Sequence, residues 1–449
     1  MCIRDSTRMA RFFQALLRET GISSPVLPEI PPSATLLEQS SRIAEHNLYA
    51  GIEERRLADG RERRILLAGR RNFREPWARD LGFASYGLLT LGKFEVLRDT
   101  LEIFLDAQLP TGQIPVKIHS TGSFERYLYS LLRREQPITR PLRPKYVTGH
   151  GTISLDGNVL LVNAAFNYLH LSRDREFGRR YWPALVRAVR WPAQVAAGPD
   201  GLLSQEAFAD WADSIARTGR VLYTNVCYWQ ALRQAALAAG EYGTHEQAVE
   251  LSQRVAKVEA GIKKRFWRED LGYFVTNEMF DNLSSGGNLL AVAWGLATPG
   301  QAASILDRMD EYEMTRPVPT QSAKPPYPLR YVALENRLGR IGFYHTDGAW
   351  LWLGAWHVIA LCRSGRIERA EQVLERIAKV IVRDQAVHEV YDPSGRVVSG
   401  LWYTSEAPLT WSAGMIVYAH QLMKVCLEKR QSVQANMDGL GAGSGNRPS

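Results

Sequence analysis

Apolar residues recur at i, i+3, i+4 and i+7 through most of this chain, the pattern of helices that bury one face. It predicts helices over residues 35–48, 81–92, 95–108, 157–171, 176–196, 223–239, 244–267, 286–295, 299–310, 347–363, 366–383 and 409–428. Several are joined in pairs by short connections: Gly92-Lys93, Ser172-Arg173-Asp174, Gly240-Glu241-Tyr242-Gly243 and Ser364-Gly365. Helical hairpins in series build either an open solenoid or a closed ring. A solenoid of short repeats carries self-similarity at a fixed period, and none is visible here. The other connections, 109–156, 197–222, 311–346 and 384–408, are long and uneven and carry Gly, Pro, Trp and charge. Long loops after alternate helices are what a closed ring uses to build a site at one end. The expected fold is all-α, an (α/α)6 toroid occupying residues 31–430.

The ends read differently. Residues 1–30 form an N-terminal segment whose opening, Met1-Cys2-Ile3-Arg4-Asp5-Ser6, resembles adapter read-through in translated sequencing fragments, so 1–8 carry no weight. Residues 431–449 are rich in Gly, Ser, Asn and Gln and predict a disordered tail. The stretch from His119 to Gly151 is too polar for core and too long for a turn. It suits a lid over a site or a plain surface excursion.

Composition narrows the partners. The 449 residues are 45% hydrophobic and 23% charged, an ordinary globular balance. The net charge of +8 is spread along the chain without a basic stripe, which argues against nucleic acid. No apolar run reaches the length of a membrane span, and the N-terminus lacks a signal-peptide layout. Cys227, Cys362 and Cys426 lie in apolar helical text and read as buried free thiols. A cytoplasmic protein is the default expectation. No metal spacing, P-loop or dinucleotide fingerprint occurs, so no cofactor is expected; Gly286-Gly287 reads as a close backbone approach.

Candidate chemistry gathers where acids sit beside Trp and Gly in loops. Trp77, Arg79 and Asp80 open one helix; Asp210, Trp211 and Asp213 precede another. His345, Asp347, Trp350 and Trp352 open a third, while Glu389 and Glu406 flank the turn Asp392-Pro393-Ser394-Gly395 ahead of Trp411. Each acid also suits helix capping or a turn, and the tryptophans also suit core. Trp402 and Tyr403 are further aromatic platforms on the same reading. Together the set fits a sugar site. Indoles stack on pyranose faces, and an Arg–Asp pair takes up vicinal hydroxyls. Glycoside hydrolysis needs one protonated carboxyl at the leaving oxygen and a second carboxylate, which in inverting enzymes activates water. Burial beside Trp211 would keep the proton on the acid near neutral pH.

These residues resemble the six-hairpin glycosidases, the group of glucoamylases, processing α-glucosidases, trehalases, neutral invertases and glycogen-debranching glucosidases, over roughly residues 70–428. Trp77-Ala78-Arg79-Asp80 resembles the sugar-contacting Trp-x-Arg-Asp of glucoamylases, and Asp156-Gly157 the Asp-Gly that opens the next inner helix. Trp211-Ala212-Asp213 ahead of Tyr228-Trp229-Gln230-Ala231-Leu232 gives Asp213 the general-acid role by resemblance. Glu389-Val390-Tyr391-Asp392 with Gly395 and Thr410-Trp411-Ser412 gives Glu389 the base role. Glucoamylases carry a Glu directly after the Trp, where Ala212 stands, so Asp210 remains a rival acid; Glu406 remains a rival base. The resemblance implies a carbohydrate substrate and an inverting, exo-acting α-glucosidase-type enzyme. A phosphorylase, a trehalase or invertase specificity, a sugar 2-epimerase using histidines such as His345, His357 and His388, or a non-catalytic scaffold stay open as alternatives. His357 falls mid-helix in apolar text and reads as core.

Overall fold

The computed structural model describes residues 29–57, 60–400 and 403–442. The read-through stretch with Cys2, Trp402, and residues 443–449 of the expected tail lie outside the described residues. In chain order the helices are α1 (Leu36–Ala50), α2 (Ala78–Thr90), α3 (Phe94–Asp106), α4 (Ser123–Leu131), α5 (Leu155–Ser172), α6 (Arg175–Ala196) and α7 (Leu222–Tyr242). There follow α8 (His245–Phe266), α9 (Ser285–Ala293), α10 (Pro299–Glu311), α11 (Leu334–Leu338), α12 (Leu351–Arg363), α13 (Ile367–Asp384) and α14 (Thr410–Ala442). Each of the twelve expected helices is present. The short α4 and α11 arise inside two of the long connections, and α14 continues beyond residue 430, where the tail was expected to begin.

Contacts between helices close the ring. Helix α2 packs on α5, α5 on α7, α7 on α9, α9 on α12, α12 on α14, and α14 returns to α2. Outside these lie α1, α3, α6, α8, α10 and α13. Inner and outer helices differ as their positions require. Along α5, buried residues run without a break from Leu155 to Phe166, so that helix has core on all sides. In α13 the buried set is Ala370, Val373, Leu374, Ile377, Ala378 and Ile381 with Val380, a single stripe backed by charge.

Connections from inner to outer helices are tight turns. Gly92 and Gly365 turn at φ 67° and 74°, where a side chain would be strained, and Asp174 caps α6 by accepting from the Phe177 amide at 3.0 Å. Connections from outer back to inner helices are long. All the long loops therefore gather at the N-terminal ends of the inner ring.

The loops also hold short antiparallel strands that periodicity did not reveal. They are β1 (Ile52–Arg56) with β2 (Glu62–Leu66), β3 (Lys117–His119) with β4 (Arg143–Lys145), and a sheet of β5 (Trp267–Arg268), β6 (Tyr273–Asn277), β7 (Phe280–Ser284) and β8 (Ala323–Lys324). Strands of two to five residues, such as Glu-Glu-Arg-Arg in β1, carry no alternation to read. Among the described residues, no helix is long and apolar enough to cross a membrane, and Cys227, Cys362 and Cys426 are free thiols.

Ring closure depends on two glycines. A Cβ on Gly87 of α2 would lie 2.4 Å from the Gly414 Cα of α14, and one on Gly414 would lie 2.8 Å from the Ala84 carbonyl oxygen. Backbone cannot swing aside as a side chain can. Gly87→Ala is expected to cost about 3 kcal/mol of unfolding free energy, the upper end of overpacking penalties. Urea denaturation measures it, and an unchanged midpoint would contradict so close a helix contact.

Candidate active site

A cleft opens where the long loops converge, and four of them line it. The β2–α2 loop and the first turn of α2 bring Phe73, Trp77, Arg79 and Asp80; the α6–α7 loop brings Trp211 and Asp213. The loop into α12 brings Tyr344, His345 and Trp350, and the α13–α14 loop with the start of α14 brings Glu389, Leu409 and Trp411. None of the aspartates expected as alternative caps serves as one: the N-cap positions of α2, α7 and α12 are Trp77, Val221 and Trp350, none with a side-chain cap bond. Asp80 sits in the first turn of α2, within reach of the helix dipole.

The aromatic wall is continuous. The His345 ring stacks on Trp350 at 5.0 Å and 9°, Trp211 meets both rings edge-on, and Trp411 packs at 5.0 Å from Trp352. Trp352 itself is fully buried and belongs to the core. The indole N–H groups of Trp77 and Trp411 are buried without a hydrogen-bond partner. Behind Trp77, the Lys117 ammonium lies 4.7 Å from its ring and 2.6 Å from Glu75. Glu75 also accepts from Gln136 at 2.9 Å. The excursion between His119 and Gly151 is thereby pinned to the wall of the cleft, through a fully buried Gln136.

Three carboxyls share this space. Burial pushes Asp80 up to about 7, with Arg79 opposing and Glu389 and Asp213 adding repulsion. Asp213 has a side chain 48% exposed toward the cleft. Protein still surrounds it on its other sides, and that burial pushes it up to about 6 against the pull of Arg79 and His150. Among the described residues, Asp213 accepts no hydrogen bond; His345 Nδ1 lies 4.0 Å away. His345 is held neutral by burial. Its Nδ1 faces the Ser214 hydroxyl at 2.8 Å and the Ser214 amide at 3.4 Å. An amide can only donate, so Nδ1 is the acceptor and the ring proton sits on Nε2.

Glu389 is bound on both oxygens. The Tyr344 hydroxyl donates to Oε1; the Tyr403 hydroxyl and the Glu406 amide (3.0 Å) donate to Oε2. Burial pushes Glu389 up to about 7, and these three donors oppose it. The sequence marks neither tyrosine for this position. Tyr344 stands beside His345 in the sequence, but its contact with Glu389 spans 45 residues, and nothing local announces it.

Four other candidates lie behind the cleft. Glu406 is fully buried, its carboxylate receiving the amides of Arg70 (2.9 Å), Arg71 (2.8 Å) and Asn72 (2.6 Å). Asp210 is buried against Arg217 at 2.8 Å and Gln205 at 2.9 Å. Asp347 receives the Thr346 hydroxyl at 2.7 Å and does not line the cleft. Asp156, fully buried, receives Arg79 Nε at 2.7 Å and Nη2 at 3.2 Å, together with the Ser154 hydroxyl. It thereby fixes the guanidinium that reaches the cleft. Asp156→Ala would leave that buried cation unpaired, at an expected cost of about 3–5 kcal/mol in unfolding free energy. Thermal and urea denaturation check it, and a stable variant would mean that Arg79 finds another partner. Of the histidines, His357 and His388 lie away from the cleft lining; His357 is fully buried in α12.

A closed ring of six helical hairpins with an acidic, aromatic-walled cleft at the N-terminal ends of its inner helices defines a six-hairpin glycosidase, a class of glycoside hydrolase. Within that class, the chain belongs to the bacterial α-L-rhamnosidase six-hairpin glycosidase domain family, whose model matches residues 71–315, more than half of the chain. The matched range includes Asp213 and ends before Glu389. The chain is similar to the rhamnosidase from Klebsiella oxytoca with rhamnose bound (17% identity, TM-score 0.62, 89% of this chain and 66% of that one). It is also similar to the GH63 mannosylglycerate hydrolase from Thermus thermophilus in complex with glucose (14%, 0.61, 86% and 99%). A third is the GH78 family rhamnosidase of Bacillus sp. GL1 (16%, 0.59, 86% and 35%). At these identities the likeness is one of fold. The chain spans just under two thirds of the Klebsiella protein and about a third of the Bacillus one, but nearly all of the Thermus hydrolase. No curated protein sequence matches it.

Proposed function

We propose that this chain is an exo-acting, inverting hydrolase that removes one terminal α-linked sugar, with Asp213 as general acid and Glu389 as the base that activates water. The observation that carries the reading is the pairing, in one cleft, of a carboxyl without hydrogen bonds and a carboxylate held by three donors. A proton donor must turn toward an incoming glycosidic oxygen, and Asp213 has no bond to break in doing so. A base that orients water is better fixed, and both Glu389 oxygens are fixed. A nucleophile would have to leave such a cradle to reach the anomeric carbon. Glu406 and Asp210 are engaged in backbone and guanidinium contacts, which argues against either as acid or base.

Arg79 and Asp80 are the expected grips on sugar hydroxyls, with Trp77 and Trp411 as apolar platforms. A 2-epimerase would need two exchanging bases at the sugar; His345 is neutral and already accepts from Ser214. The sugar itself is drawn from the relatives. The sequence resemblance favours an α-glucoside, the family an α-L-rhamnoside, and the Thermus hydrolase a mannosylglycerate-like substrate.

The test is hydrolysis of maltose, isomaltose, trehalose, sucrose, kojibiose, nigerose, an α-L-rhamnoside and mannosylglycerate, with the first-formed anomer read by proton NMR. Release of the anomer opposite to the bond cleaved is expected. Retention of configuration would overturn the water-activating role of Glu389.

A further inference from the structure

A second cavity, of about 830 Å³, lies at the other end of the barrel and opens to solvent. That size is within the range of ligand pockets, roughly 300–1,000 Å³. Its walls come from the last turns of α2, α5, α9 and α12, the ends of the inner helices far from the carboxyls, together with α7 and α14. Nothing in the hydrolytic reading uses it.

Three arginines line this cavity, and they differ in one respect. Arg366 is neutralised: its Nη1 lies 2.6 Å from Asp307, and its Nη2 donates to the Ala303 carbonyl at 3.2 Å. Arg233 and Arg363 form no ion pair among the described residues. Arg233 donates from Nε to the neutral Gln230 at 3.1 Å and lies 5.0 Å over the Trp229 ring. Arg363 adjoins the Tyr418 hydroxyl. Burial lowers the Arg233 guanidinium, Tyr86 and Glu259 act against that, and Arg363 adds repulsion. Glu259 is itself committed to Lys263 at 2.6 Å and to the Trp229 indole at 3.3 Å.

Arg233, half-buried, and Arg363, exposed, thus both line this cavity without a carboxylate partner among the described residues. The carbonyl ends of the inner helices face the same space with partial negative charge, an effect that fades within a turn and leaves the outward-reaching guanidinium tips free to pair. Hydroxyl donors stand in the same cavity. Tyr86 accepts from the Trp294 indole at 3.3 Å, which leaves its own proton to donate, and the Tyr418 ring packs 5.1 Å from it. Guanidinium forks match the geometry of oxyanions in a way that a point charge does not.

We propose that this cavity is a second ligand site, which takes the oxyanion group of a small molecule, a phosphate or a carboxylate, between Arg233 and Arg363 with the Tyr86 and Tyr418 hydroxyls. It is separate from the cleft, and its test does not depend on which glycoside is cut or whether any is.

The experiment is isothermal titration of the full chain with inorganic phosphate and, separately, with gluconate; the two probes distinguish the kinds of anion. Saturable binding of one of them at millimolar Kd or tighter is expected, weakened at least about tenfold in Arg233→Gln/Arg363→Gln and retained in Asp213→Asn. Absence of saturable binding by either probe, equal affinity in the double variant, or loss in Asp213→Asn would each overturn the site. Should the double variant fold poorly, phenylglyoxal labelling of the wild-type protein answers the same question. The bound anion is expected to slow modification of Arg233 and Arg363 but not of the distant Arg330. Unprotected Arg233 and Arg363 would refute the proposal.

Discussion

Asp213→Asn is expected to lower kcat on a disaccharide by about 10³-fold without lowering the unfolding midpoint. The two halves of that result have separate causes. Asp213 accepts no hydrogen bond among the described residues, so the amide forfeits none and adds no strain. Its only foreseeable loss is the proton that a departing sugar oxygen requires. The choice of substrate then sharpens the test. A 2,4-dinitrophenyl glycoside leaves without protonation, so on it the same variant should fall by about tenfold or less. Equal losses on both substrates would remove Asp213 from the proton-donating role. The rival separates cleanly. Asp210 is buried with Arg217 at 2.8 Å, so Asp210→Asn weakens a buried pair. Its effect should appear as lost stability, without dependence on the leaving group.

Helix periodicity made nearly all of the ring legible, because inner and outer helices need apolar faces at a period that sequence displays directly. The turns Gly92-Lys93 and Ser364-Gly365 were legible for a related reason: only particular residues adopt their backbone. The small strands were not legible, since pairings such as Lys117 with Lys145 are set by the surrounding tertiary structure. In the site, most of the aromatic wall and the three cleft carboxyls could be read as Trp, Asp and Glu gathered in loops. What could not be read is which acids face the cleft. Asp347 and Glu406 stand in the same kinds of stretch as Asp213 and Glu389. Their separation into carboxylates behind the wall and carboxyls within it depends on the amides of residues 70–72 and on Thr346. The Tyr344–Glu389–Tyr403 cradle was hidden for the same reason. Its three members come together only when the loop into α12 and the α13–α14 loop meet at the mouth of the barrel.

That cradle yields the second large effect. Glu389→Gln is expected to lower kcat by about 10³-fold on every substrate, activated or not, because the water always needs its base. The pH profile adds an assignment that inactivation alone cannot. With Asp213 raised to about 6 and Glu389 to about 7, the pair shares one proton between those values, while Asp80, also near 7, titrates beside the upper limb in wild type and variant alike. A bell-shaped kcat/KM with limbs near 6 and 7 follows whichever group is the acid. If Glu389 is the base, the productive form carries the proton on Asp213, the more acidic of the two, and is the minority among singly protonated molecules. Tyr403→Phe removes a donor that favours the Glu389 anion, so it should raise the upper limb by roughly one unit. Under the assignment proposed here, that shift makes the productive form rarer, and the height of the bell should fall by up to about tenfold, less what a stronger base regains. Under the reverse assignment the same shift would only widen the bell and leave its height intact. A measured kcat/KM profile of wild type and Tyr403→Phe therefore decides between the two carboxyls by its height as well as by its limbs.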